Sequence, residues 1–198
     1  MDDVRRLIHD IRACQICADL PLGPKPIVQF NAKSKILIAG QAPGRITHHK
    51  GIAFDDPSGN RLRAWLGVSR DAFYDPDCFA IVPMGFCFPG TGNGGDLPPR
   101  PECAPTWRHR ILDHLTSVEL VLIIGRYAID WHAPEHAKST VTHAVRDWET
   151  HWPRQLILPH PSPRNNRWLK QNPWFERQIV PTLQDRVHQL TGRHAVPD

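Results

Sequence analysis

The sequence predicts an α/β fold: a single three-layer domain with a central, mainly parallel four-stranded sheet flanked by helices. Three observations carry this. Short apolar runs, "KILIAG" (Lys35–Gly40), "CFAIVPM" (Cys78–Met84), "LVLIIG" (Leu120–Gly125) and "QLILP" (Gln155–Pro159), lack the alternation of half-exposed strands and read as strands buried on both faces. Helical patterns fall between them, and alternation of strand and helix implies parallel pairing with helices on both faces. The chain is 198 residues, enough for one sizeable core, with neither an internal repeat nor a domain-sized linker. One domain spanning 1–198 is therefore expected, with an N-terminal helix and a Cys14/Cys17 knuckle packed on it.

Taken in order, the start "MDDVRRLIHDIRAC" is an amphipathic helical pattern with charges throughout and no signal-peptide core. Further helices are expected over Ser58–Gly67, Pro101–Leu115, Tyr127–His132 and Val141–Trp148. A C-terminal helix is expected to begin at Asn172, with Pro173 in its first turn. Its apolar residues Phe175, Ile179, Leu183, Val187 and Leu190 recur at helical intervals, and Pro181 predicts a kink. The segment Phe88–Pro99 is rich enough in Gly and Pro to predict irregular structure. Trp65, Trp107, Trp148, Trp168 and Trp174 are read as packing residues.

Composition removes several function classes. An apolar fraction of 40% excludes disorder, and the most apolar internal run, "ELVLIIG", is far shorter than a membrane span of ~20 residues. A net charge of +4 permits a polyanionic partner without requiring one. Five cysteines and no secretion signal argue for a reducing compartment, so a cytoplasmic location is expected. The protein is also expected to be a monomer.

Ligands of open α/β sheets sit beyond the carboxyl ends of the strands. Two post-strand segments stand out there: "GQAPGR" from Gly40, and "HPSPRN" from His160. The second places a histidine between two prolines and follows it with a basic, polar run. Elsewhere, Cys14 and Cys17 form a C-x2-C knuckle, while Cys87 and Cys103 lie downstream with fifteen residues between them. Four thiolates so spaced suit a tetrahedral zinc site or the corners of an iron–sulfur cluster. Separate buried thiols are the alternative, and Cys78, near the start of a strand, fits that description.

With these residues in order, the chain resembles the uracil-DNA glycosylase superfamily. In its iron–sulfur branch, families four and five, an N-terminal C-x2-C precedes a strand ending in a G-x-A-P-G-like motif. A G-x-x-F turn and two further cysteines follow. Here these are Cys14, Cys17, "GQAPG", "GIAF" (Gly51–Phe54), Cys87 and Cys103, with sixty-nine residues between the second and third cysteines. The resemblance implies a 4Fe–4S cluster on Cys14, Cys17, Cys87 and Cys103 ahead of zinc. The closing "HPSPRN" is more similar to the single-strand-selective monofunctional uracil glycosylases.

What the resemblance implies is a DNA-repair enzyme that hydrolyses the N-glycosidic bond of a deaminated base, uracil first, flipped out of DNA. Gly40, Gln41, Ala42, Phe54 and His160 would bind the base, with Phe54 stacking on it. His160 would stabilise the departing oxyanion. Ser162, Arg164, Asn165, Asn166 and Arg167 would contact DNA or fill the gap left by the flipped base. Two positions depart from the family pattern. Gln41 and Ala42 stand where related families carry Glu or Asp, so the catalytic set becomes His160, Asp56 and Gln41. Asp56 is preferred to Asp55 as the water-orienting group, although a helix N-cap would explain it equally. Pro83 stands where several families place an Asn that reads uracil. Two rival readings follow: a catalytically impaired glycosylase fold that binds DNA or damaged bases without excision, and a zinc-stabilised nucleic-acid-binding protein.

Overall fold

The computed structural model describes residues 3–193. In chain order the strands are β1 (Ile36–Ala39), β2 (Phe79–Ile81), β3 (Thr91–Gly92), β4 (Gly95–Asp96), β5 (Leu120–Ile124) and β6 (Gln155–Leu158). The helices are α1 (Asp3–Arg12), α2 (Arg45–Lys50), α3 (Pro57–Leu66), α4 (Arg70–Phe73), α5 (Cys103–Leu112), α6 (Arg126–His132), α7 (Val141–Arg146), α8 (Asn166–Gln171) and α9 (Val180–Thr191). The four apolar runs make one sheet in the order β2-β1-β5-β6, parallel at every pairing, as the α/β reading requires.

Alternation along the strands divides the core into two layers. Leu37, Ala80 and Val82 face Val4, Leu7 and Ile11 of α1 and Trp107 and Ile111 of α5. Ile36, Ile38, Phe79 and Ile81 face the other way, onto Leu62 and Leu66 of α3, Ile129 of α6, Val145 of α7 and Leu183 and Val187 of α9. Each such side chain contributes about 1.5–3 kcal/mol by leaving water. Trp65 and Trp107 are buried, and Trp148, Trp168 and Trp174 pack against the second of these layers from its margin.

Two local expectations change. Asn172 closes α8, its Nδ2 donating to the carbonyl of Trp168 at 2.9 Å, and the C-terminal helical run begins just beyond it, at Trp174. The chain then runs through a wide π-turn, Phe175–Ile179, before α9 begins. Pro181, which has no N–H to donate, is the second residue of α9 and follows directly on this π-helical stretch. Finally, Phe88–Pro99 holds the small antiparallel hairpin β3–β4, closed by Asn93–Gly94. An Asn-Gly pair is a strong hairpin signal, here masked by the surrounding glycines. Among the described residues, no helix is long and apolar enough to cross a membrane.

Candidate functional site

A cavity of about 570 Å³ opens beyond the carboxyl ends of the sheet. Gly40, Gln41, Ala42, Phe54, Asp56 and His160 all line it, so the residues assigned to the base and to catalysis converge there. The post-β1 loop is fixed by its own backbone. The carbonyls of Gly40 and Gln41 accept from the N–H groups of Met84 and Gly85 at 2.8 and 2.9 Å. Gln41 Nε2 donates to the carbonyl of Leu97 at 3.0 Å, which ties this loop to the segment after the hairpin.

Phe54 adopts a left-handed backbone, φ 54°, which costs an aromatic residue energy and needs support from its surroundings. That support is visible. Arg63 Nη1 donates to the Phe54 carbonyl at 3.2 Å, and Tyr74 Oη donates to the neighbouring Ala53 carbonyl at 2.9 Å. The ring lies edge-on to Phe73 and beside Gly40, where an added Cβ would meet Phe54 Cζ at 3.6 Å. The strained turn thus sets an aromatic ring in the cavity wall.

The two adjacent aspartates separate. Asp55 pairs with Arg70 and Lys50; the Arg70 hydrogen bond, helped by Lys50, holds its carboxyl down to about 2. It does not line the cavity, whereas Asp56 does. Asp56 also caps α3, accepting from Gly59 N–H at 2.9 Å through Oδ1. Capping and a place in the cavity coexist in one carboxylate.

His160 follows β6 between two buried prolines. Its Nδ1 accepts the Ser162 N–H at 3.2 Å, which leaves Nε2 as the protonated nitrogen of a neutral ring. Burial lowers its pKa, and Arg164 pushes the same way against Asp56 and Asp96. A neutral imidazole with a defined N–H is a hydrogen-bond donor suited to charge that develops on a leaving group.

The closing loop spends many of its polar groups internally. Ser162 Oγ accepts from Arg164 N–H, Asn165 Nδ2 donates to the His160 carbonyl at 2.8 Å, and Arg164 Nη1 donates to the Gly94 carbonyl at 3.3 Å. Ser162, Arg164 and Asn165 line the cavity, while Asn166 and Arg167 are exposed outside it. Two residues escaped sequence reasoning. Arg61 of α3 donates to the carbonyls of Pro161 and Ser162 at 3.2 and 3.0 Å and to Asn166 Oδ1 at 2.7 Å, clamping the loop. Asp96 of β4 also lines the cavity. Nothing local marked Arg61, whereas the Asn-Gly turn could have located the hairpin that carries Asp96. Pro83 lines the cavity, but its carbonyl already accepts from the buried Arg108 at 3.1 Å.

On the α1/α5 side of the sheet, Cys14, Cys17, Cys87 and Cys103 line one small pocket with Phe86 and Trp107. Cys14 follows α1, Cys103 opens α5, and Cys87 follows Phe86 in the loop after β2. Burial pushes the Cys87 thiol up to about 11 and Cys103 up to about 12, so thiolates here require a cationic group among them. Among the described residues, no three of these sulfurs lie within 4.8 Å of one another. Four cysteine thiols around one pocket are a donor set that suits either a zinc ion or an iron–sulfur cluster. Cys78 is buried in the other layer of the core, away from this pocket.

The family model for the uracil DNA glycosylase superfamily matches residues 27–184. The chain belongs to that superfamily. The matched span contains the whole cavity lining and begins after the Cys14/Cys17 knuckle. Among solved structures, this superfamily member is similar to the solution NMR structure of a provisionally assigned uracil DNA glycosylase from Methanosarcina acetivorans. The two share 14% identity at a TM-score of 0.48, over 82% of this chain and 99% of the other.

Proposed function

We propose that the protein is a DNA glycosylase that hydrolyses the N-glycosidic bond of a deaminated base, uracil first, flipped out of DNA. The observation that carries this reading is the convergence of Phe54, Asp56 and His160 on one cavity, in a chain of the superfamily. Phe54 offers the face on which an extruded base stacks. The bond between C1′ and the base nitrogen breaks with its electron pair leaving on the base, and His160 Nε2–H donates to the oxygen where that charge gathers. Asp56 orients a water whose oxygen bonds to C1′; its proton passes to the carboxylate and finally to the departed base. Gln41 holds the first loop over the base through Leu97. Exposed Arg167, with Arg164 and Asn165 at the cavity rim, addresses the DNA around the flipped nucleotide.

Cys14, Cys17, Cys87 and Cys103 would hold a 4Fe–4S cluster. When bound, it supplies a cross-link among the end of α1, the loop after β2 and the start of α5. Iron and acid-labile sulfide in anaerobically purified protein support it; stoichiometric zinc without iron overturns it.

The catalytic reading is tested with labelled single- and double-stranded oligonucleotides carrying uracil, hypoxanthine or xanthine, followed by alkaline cleavage. Excision by the wild type should fall about 10²–10³-fold in His160→Ala, the usual cost of losing one preorganised donor. Equal cutting by wild type and variant sinks the assignment of His160. The second reading, DNA or base binding without excision, is favoured by Gln41 and Ala42 standing where a carboxylate is usual. Tight binding with no strand scission on any substrate would establish it.

A further inference from the structure

Glu135, His136 and His151 bring three ligand atoms within 4.8 Å of one another, beside α7. Glu135 and His136 belong to the 3-10 turn Pro134–His136 that precedes α7, and His151 follows the turn Trp148–Thr150 after it. The His136 side chain is only 6% exposed, yet its Nε2 has no hydrogen-bond partner; Asp147 Oδ2 approaches no closer than 3.5 Å. His151 Nε2 is likewise without one, although Glu135 Oε1 stands 2.8 Å away. One ligand atom each of Glu135, His136 and His151 thus lies within 4.8 Å of the other two, with both imidazole Nε2 atoms lacking a hydrogen bond. Orphaned buried nitrogens cost about 1–3 kcal/mol each, so an occupant that pairs with them would be stabilising.

We propose that Glu135, His136 and His151 form a binding site for a divalent transition metal of the zinc class, with Asp147 as the available fourth ligand. Two imidazole nitrogens and a carboxylate select a borderline ion over calcium or magnesium, which want mostly oxygen. The turn that presents His136 is already fixed, because Arg126 Nη1 donates to the carbonyls of His136 and Ala137 at 2.9 and 3.0 Å. The two imidazoles stand edge to face, ring centroids 6.2 Å apart. An ion here staples the entry of α7 to its exit, next to β6. None of these residues lines the base cavity or the four-cysteine pocket, so the site is independent of the glycosylase reading.

The test uses the purified full chain titrated with zinc, read by metal analysis after gel filtration and by X-ray absorption at the zinc edge. One zinc per chain with a nitrogen/oxygen shell is expected, together with a zinc-dependent rise in melting temperature. Glu135→Ala and His151→Ala change partly exposed side chains, so both should fold. Each should lose that equivalent and the thermal shift. Saturable zinc with sulfur ligands only, no saturable zinc, or binding unchanged in both variants would overturn the proposal. None of these readouts involves DNA, so failure here leaves the excision test untouched.

Discussion

Gly59 of α3 lies directly against the carbonyl of Phe54: a Cβ at residue 59 would fall 1.6 Å from that oxygen. The helix N-terminus and the strained aromatic turn are therefore built as one piece, with Asp56 capping the helix between them. Gly59→Ala must push the Phe54 backbone aside. Overpacking against backbone should cost about 3 kcal/mol, read as a lower urea midpoint with an unchanged slope. Excision should fall further than stability explains, because the stacking face moves.

Arg61 is expected to act by positioning the His160 loop. Arg61→Ala removes three donated hydrogen bonds, two of them to loop carbonyls. These are partly exposed, so the stability loss should stay near 1 kcal/mol. The catalytic loss should be larger, about tenfold to a hundredfold in kcat, since small misplacements of a catalytic group are costly. Limited proteolysis should cut faster within residues 160–167. An unchanged kcat would show that the loop holds its shape without the clamp.

The pH profile of excision should report His160. Burial keeps its pKa below the ordinary 6.5, so the ring is neutral at pH 7 and its Nδ1 can accept from Ser162. Protonation on the acid side of 6.5 breaks that contact, and kcat/KM should decline there while staying flat through neutrality. In His160→Gln, which donates but does not titrate, activity should be low and this limb absent. A limb that survives the substitution belongs to another group.

Stability at acid pH should depend on His132. Its Nε2 accepts from Arg108 Nε at 2.9 Å, and burial, then the charge of Arg108, hold its pKa down to about 3, against 6.5 for an exposed imidazole. The unfolded chain therefore binds the extra proton between these values, so stability is full above 6.5 and is lost as pH falls toward 3. Roughly 3 kcal/mol should disappear between neutral pH and about pH 4 from this group alone. Denaturant titrations of wild type and His132→Gln across that range measure it: the variant's curve should be flatter by this amount.

Arg108 itself is fully buried and satisfied without a carboxylate, donating to the carbonyls of Val82 and Pro83 at 3.0 and 3.1 Å. Arg108→Ala leaves those oxygens unpaired and opens a cavity beneath the end of β2. A loss of about 3–5 kcal/mol is expected, detected as a large fall in melting temperature.

Much of this architecture was legible in the residues themselves. Runs such as "LVLIIG" can only be buried, and their alternation with helical patterns leaves little choice but a covered parallel sheet. Post-strand loops located the cavity, and the spacing of Cys14, Cys17, Cys87 and Cys103 anticipated residues that line one pocket. Burial and turn chemistry are local properties, written in periodicity, proline and glycine.

Partner choice is not local, and there only the tertiary structure decided. Asp55 and Asp56 are chemically identical neighbours; Arg70 and Lys50 take the first, and the second reaches the cavity. Asn166, assigned to DNA from the sequence, has an Oδ1 that accepts from Arg61, about a hundred residues away, a partner that nothing local announced. Glu135, His136 and His151 carry no motif, because their convergence depends on the two turns that α7 separates. The sequence by itself determined the strands, the loops at their ends and the chemistry available. Long-range packing determined which of those groups meet, since the distance between two side chains depends on the whole path of the chain between them.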